Sequence, residues 1–198
     1  MQQRAVLETA IMSKNMEIYR TCMLKEVQTA FETLHLDQLQ KALEELEKAE
    51  RVFCDGLGRS GLSMRGFAMR LGQMGRKSVL VGEATAPAFE KGDLLVLCTA
   101  SGTSPVLLYH AQRAKGYGGR ILLLTGNPCS PLAELADALI LVQAPDKDQE
   151  GQKRASVQPM GSLFEQVSGL VCDLMAVTMM DRLGLTSEEM RKYHANIE

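Results

Sequence analysis

Two short segments of this chain carry the residue types that hold an anion. Gly56-Leu57-Gly58-Arg59-Ser60-Gly61 spaces its glycines as GxGxxG. Glycines let a backbone approach a ligand closely, and a helix opening behind them offers free N–H groups and the positive end of its dipole. Thr99-Ala100-Ser101-Gly102-Thr103-Ser104-Pro105 gathers four hydroxyls into six residues. Ser104 followed by Pro105 makes a good helix start, as N-cap and N1. A cap needs one hydroxyl, however, and the surplus suits the oxygens of a phosphate monoester. The candidate phosphate ligands are therefore Gly58, Arg59, Ser60, Thr99, Ser101, Gly102, Thr103 and Ser104. A third turn, Thr125-Gly126-Asn127-Pro128, reads as structural.

Two further side chains have proton-transfer chemistry. Glu165 falls in the first turn of a helix expected from about Gly161, beside Leu163, Phe164 and Val167. There it is either a general base or a complement to the helix dipole. His194, near the C-terminus, is either exposed or a proton carrier between substrate oxygens. Arg59 either steers an anion or makes a surface salt bridge. His35 and His110 sit on helical stretches and read as structural or exposed. Lys153 and Arg154, in the polar stretch 143–159, either close over a phosphate or stay solvated.

The elements that must position these groups follow from apolar spacing. Residues 1–50 read as helical: Leu24, Val27, Phe31 and Leu34 form one stripe, and Leu36, Leu39, Leu43 and Leu46 another. Between them Asp37 and Gln40 resemble a capping box. The first stripe packs on the domain or against a second copy. From Arg51 onward short apolar runs alternate with helices. Strands are expected at Val52–Asp55, Ser78–Gly82, Leu94–Thr99, Ile121–Thr125 and Ala138–Val142. Helices fill about 60–75, Pro105–Lys115, a short piece from Pro131, and Gly161–Leu183; Thr186 or Ser187 caps a last one. Apolar strands alternating with helices argue for a parallel sheet covered on both faces. In such a sheet ligands bind beyond the carboxyl ends of the strands, where both hydroxyl-bearing turns lie.

The 198 residues are expected to form one domain, residues 1–50 packing on it or at an oligomer interface. A net charge of −2 gives no basic field for nucleic acid or acidic membranes. The apolar stretch Leu163–Leu183 is broken by Glu165, Asp173, Asp181 and Arg182, so no membrane span is expected. Five scattered cysteines without CxxC fit reduced thiols in cytoplasm, neither a disulfide framework nor a zinc site. A dinucleotide-binding reading also exists, with Glu83 as the acidic ribose ligand. It leaves the hydroxyl-rich turn unexplained and little chain for a substrate domain.

The combination of GLGRSG, TASGTS, QPMGSLFEQ and the terminal YHANIE resembles the 6-phospho-3-hexuloisomerase family within the SIS (sugar isomerase) domain superfamily. The two turns are general to SIS domains; QPMGSLFEQ and HAN are specific to the narrower family. The resemblance implies a three-layer α/β/α fold around a five-stranded parallel sheet, flavodoxin-like, with N-terminal helices. It implies interconversion of D-arabino-hex-3-ulose 6-phosphate and D-fructose 6-phosphate through an enediolate, in the ribulose monophosphate route of formaldehyde fixation, without cofactor or metal. Ser60, Ser101 and Ser104 would hold the phosphate, with Thr99 and Thr103 as weaker ligands. Glu165 would be the base, and His194 would reach a neighbouring subunit's site in a homo-oligomer, tetramer or dimer. The superfamily's second turn usually reads SGSGET. Here Thr99 and Ala100 stand for its first Ser-Gly, Thr103 for its Glu and Ser104 for its Thr, so hydroxyls persist while any role of that Glu is lost or moved. The alternatives are an isomerase of a pentose or heptose phosphate, a noncatalytic phosphosugar sensor, and a nucleotide-dependent oxidoreductase.

Overall fold

The computed structural model describes residues 2–144 and 156–197, with side chains from residue 13 onward; Lys153 and Arg154 lie outside these. Five strands form one sheet: β1 (Val52–Gly56), β2 (Ser78–Leu80), β3 (Leu94–Thr99), β4 (Arg120–Thr125) and β5 (Ala138–Leu141). Every strand pairing is parallel, in the order β2-β1-β3-β4-β5. This is the flavodoxin-like order, and it differs from the 3-2-1-4-5-6 order of a dinucleotide-binding fold. Glu83 is ion-paired to Arg65 at 2.9 Å, so its carboxylate already has a partner.

Period-two alternation sorts the strand side chains onto two cores. Val52, Cys54, Leu94, Val96, Cys98, Leu122 and Leu124 face one side. There they meet α2 (Leu36–Lys48), α3 (Gly58–Gln73) and α6 (Ser162–Leu183). Phe53, Leu95, Leu97, Ile121 and Leu123 face the other, under α4 (Pro105–Gly116) and α5 (Pro131–Leu135). By length and composition α6 could cross a membrane. Here Phe164, Val167, Val171 and Met175 bury one side of it in the first core.

The N-terminal helix α1 (Gln2–Glu32) packs Val27 and Phe31 against that same core, and Leu34 just beyond its end joins them. Met16, Ile18, Tyr19, Met23 and Leu24 on this helix stay exposed. In α2, Leu39, Leu43 and Leu46 are buried but Leu36 is not. The expected capping box at its start is corrected. The helix begins at Leu36 with His35 as N-cap and no side-chain cap bond, which places Asp37 inside the first turn; Gln40 donates instead to Glu44 at 2.9 Å. A capping box does form at α7 (Ser187–Arg191), between Thr186 and Glu189. β2 is shorter than its apolar run because Gly82, at φ 87°, turns the chain away.

The first and last glycines of GxGxxG, Gly56 and Gly61, are required by the contact between β1 and α3, and Gly58 by its positive φ of 57°. A methyl group on Gly61 would overlap the Gly56 carbonyl oxygen, which is backbone and cannot step aside. Gly61→Ala is therefore expected to cost about 3 kcal/mol, or roughly 8 °C in Tm. Thermal unfolding followed by circular dichroism checks this, and an unchanged Tm contradicts the close packing.

Candidate active site

The carboxyl ends of β1 and β3 flank the point where the chain reverses its direction of travel across the sheet, which is where such sheets bind ligands. A cleft of about 190 Å³ opens there. Leu57 and Ser60 enter it from the first turn, Thr99, Ala100, Ser101 and Ser104 from the second, and Met160, Gly161, Phe164 and Glu165 from the start of α6. The first turns of α3, α4 and α6 thus converge on one space. Each brings unpaired backbone N–H groups and a positive dipole end, a setting built for an anion.

The hydroxyls keep donors available. Ser101 Oγ accepts from the Thr103 amide at 3.4 Å and from Thr103 Oγ1 at 3.1 Å, leaving its own O–H to donate. Ser104 Oγ accepts from the Leu107 amide at 3.5 Å, so it caps α4 as well as lining the cleft. Thr99 Oγ1 accepts from the Gly102 amide at 3.4 Å. Ser60 is buried on the cleft wall. The third turn braces the second: Thr125 Oγ1 donates to the Ala100 carbonyl at 3.2 Å, and Asn127 Nδ2 to that of Ser101 at 3.2 Å. Gly102 packs beneath them at φ 67°, where a methyl group would overlap Ser130 Oγ.

Glu165 reaches the cleft with a mostly buried carboxylate. Arg59 Nη1 donates to Ser162 Oγ at 2.8 Å and lies 2.9 Å from Glu165 Oε2. That second contact is an ion pair outside hydrogen-bond geometry, so Oε2 is buried and accepts no hydrogen bond among the described residues. An anionic oxygen left in that condition can still take a proton from carbon. Cys98 closes the floor. Burial pushes its thiol up to about 11, although Ser168 and Ser60 beside it act to lower it. It is therefore a neutral thiol at physiological pH, and thiolate chemistry is excluded from this position.

Of the residues expected from sequence, Ser60, Thr99, Ser101, Ser104 and Glu165 line the cleft. Gly58, Arg59, Gly102 and Thr103 do not. Arg59 is ion-paired to the cleft residue Glu165, Gly102 supports the turn from below, and Thr103 is exposed and bonds Ser101. His194 is in a different place within this chain. With Arg70, Asp173, Met180 and Met190 it lines a second hollow, formed by α3, α6 and α7, and its Nδ1 is 2.8 Å from the Ala195 carbonyl oxygen. His110, expected to be structural or exposed, takes the structural role on α4. Its Nδ1 is 2.6 Å from Asp55 Oδ2 in a half-buried pair, and Asp55 Oδ1 accepts from the Gly56 amide at 2.8 Å. This pair ties the root of the first turn to α4. The family model of the SIS domain matches residues 45–173, which span both turns and the first half of α6.

The chain belongs to the SIS domain family. Among its SIS relatives, a 3-hexulose-6-phosphate isomerase of Bacillus subtilis is 35% identical over 89% of this chain and 95% of its own. One of Mycobacterium gastri is 40% identical over 82% of this chain and 81% of its own. A solved structure from Methanococcus jannaschii, for which a function of 3-hexulose-6-phosphate isomerase was inferred, is 32% identical. It covers 93% of this chain and 99% of its own, with a TM-score of 0.77. The SIS match confirms the α/β fold expected from the alternation of strands and helices. Seven cleft residues were not among the expected site residues: Leu57, Cys98, Ala100, Leu107, Met160, Gly161 and Phe164. Leu57 and Ala100 lie within the two turns, and Met160, Gly161 and Phe164 within QPMGSLFEQ, so their motifs were the available signal.

Proposed function

We propose that this chain interconverts D-arabino-hex-3-ulose 6-phosphate and D-fructose 6-phosphate, the isomerase step of formaldehyde fixation through ribulose monophosphate. One observation carries the reading: two hydroxyl-bearing turns and a buried carboxylate with an unbonded oxygen line a single small cleft. The relatives of like length, named for this activity, support the choice of sugar. A cleft of about 190 Å³ suits one sugar phosphate better than a dinucleotide.

Ser60, Ser101 and Ser104, with the first turns of α3 and α4, hold the phosphate. The sugar carbons then lie toward Glu165. Glu165 takes the proton from C2 of the 3-ketose. The C2–H electron pair becomes the C2–C3 double bond, and the C3 carbonyl oxygen takes the negative charge. Arg59, paired with Glu165, steadies that enediolate. Glu165 returns the proton to C3, the C2 hydroxyl gives up its own proton, and C2 becomes the ketone. Phe164 and Met160 shield the exchange from water.

His194 moves protons between the two substrate oxygens. Since it lines another hollow of its own chain, it does so in the cleft of a neighbouring copy. The active form is then a homo-oligomer, a tetramer or dimer with shared sites. It works in the cytoplasm, where its five free cysteines stay reduced.

The test is a coupled assay in which the 3-hexulose phosphate is made enzymatically and fructose 6-phosphate is read on adding the protein. The expected result is fructose 6-phosphate formed in proportion to enzyme. A rate equal to the blank ends this reading.

A further inference from the structure

Helix α1 holds the segment that leads to the cleft wall through one carboxylate. Glu26 takes three bonds from the segment leading into α6: Ser156 Oγ donates at 2.7 Å, the Val157 amide at 2.8 Å and Gln158 Nε2 at 3.2 Å. The segment is tied internally as well. The Gln158 amide donates to Ser156 Oγ at 3.0 Å, and Gln166 Nε2 donates to Gln158 Oε1 at 2.7 Å. Gln158 is buried between Glu26 and α6. One carboxylate on α1 therefore anchors everything from residue 156 to the residue after Glu165.

Just past this anchor the backbone is strained. Met160 has φ 56°, the one non-glycine residue at positive φ among those described, and Gly161 comes next at φ 75°. A left-handed methionine is costly and persists only where its surroundings over-determine it. On one side the Ser162 amide donates to the Pro159 carbonyl at 3.0 Å. On the other stands the Glu26 anchor. This left-handed pair forms part of the cleft wall, since Met160 and Gly161 both line it. Directly beyond, Ser162 holds Arg59, and Arg59 pairs with Glu165.

We propose that Glu26 is a positioning residue for the sugar phosphate site: it clasps residues 156–158 so that Met160 and Gly161 hold the cleft wall and Ser162 stays set to receive Arg59. The inference rests on the isomerase reading for its ligand. Burial alone would raise the proton affinity of Glu26, but the bonds from Val157, Ser156 and Gln158 outweigh it and leave its pKa below the ordinary value. The contribution of the clasp is thus complete above the unfolded carboxylate range, neutral pH included, and is lost only as pH falls through the lowered value.

The experiment compares E26A and E26Q with wild type. Fructose 6-phosphate is titrated calorimetrically, and amide exchange is followed across residues 157–163 without sugar. E26A is expected to raise Kd about tenfold and to speed exchange in that segment, with the core strands unchanged. E26Q keeps one acceptor and falls between, at about threefold. It carries the same test should E26A fail to fold. An unchanged Kd overturns the proposal, even if Tm has dropped, because a purely structural helix contact would lower Tm alone. If wild type itself takes up no fructose 6-phosphate, it is the isomerase reading that has failed. The exchange measurement then decides the clasp, and exchange at the wild-type rate overturns it.

Discussion

Glu165→Gln is expected to lower kcat about a thousandfold while Kd for fructose 6-phosphate stays within about threefold of wild type. The amide has the shape of the carboxylate, so the cleft keeps its outline and loses only the group that can accept a proton. Arg59 is then left without its counter-charge. Its side chain is 55% exposed, so water takes up the charge and stability barely moves. The freed guanidinium also adds attraction for a phosphate dianion, which works against any loss of binding. Single-turnover kinetics beside calorimetric titration separate the two quantities. Near-normal turnover clears Glu165 of the role, and a Kd that rises as much as kcat falls makes it a ligand and not a base. The same variant reports on His194. Mixed with His194→Ala under conditions of subunit exchange, it recovers activity where sites join chains, because some clefts then receive both intact groups. Mixtures that exchange subunits and stay inactive count against sites shared between chains.

The parts of this site that were legible in the sequence are those fixed locally. A strand ending in GxGxxG and a strand ending in hydroxyls before Pro105 each state their own geometry. Parallel strands then bring both ends to one edge, as the β1–β3 register does by pairing Gly56 with Cys98. Glu165 was legible for the same reason, through its offset from the start of α6. Contacts made across the chain were not. Glu26 and Val157 are 131 residues apart, and no spacing rule relates them. His110 and Asp55 are 55 apart, on a helix and a strand whose pairing only the packed layer reveals. Positive φ at Met160 has no side-chain signature, since a left-handed turn announces itself through glycine or asparagine. The capping-box reading of Asp37 failed more simply: the helix starts one residue before it, at Leu36, which is 78% exposed and owes its place to its neighbours in α2. On α1 the apolar stripe has two fates. Val27 and Phe31 meet the core, while Leu24 is 67% exposed, so the stripe alone could not separate folding from assembly.

Ser101→Ala together with Ser104→Ala is expected to weaken fructose 6-phosphate about a hundredfold, with Tm lower by only about 3 °C. The asymmetry arises from what each hydroxyl does in the two states. Without ligand, Ser101 Oγ bonds Thr103, its exposed neighbour, and among the described residues no other, and water replaces that contact at little cost. Ser104 Oγ caps α4, but at 3.5 Å its bond to the Leu107 amide is long, and Pro105 still sets the first helical dihedral. Losing such a cap costs about 1 kcal/mol. With ligand, both O–H groups face a dianion in a cleft walled by Leu57, Leu107 and Phe164, where little water can substitute. A hydrogen bond to a charged group in that setting contributes about 1.5–3 kcal/mol, and two at the low end of that range account for the hundredfold. Titrating inorganic phosphate alongside the sugar locates the loss. If the turns hold the phosphoryl group, affinity for phosphate alone falls by a similar factor. If phosphate binds as before while the sugar weakens, the hydroxyls face the sugar carbons, and the ligand lies in the cleft the other way round, with its phosphate toward α6.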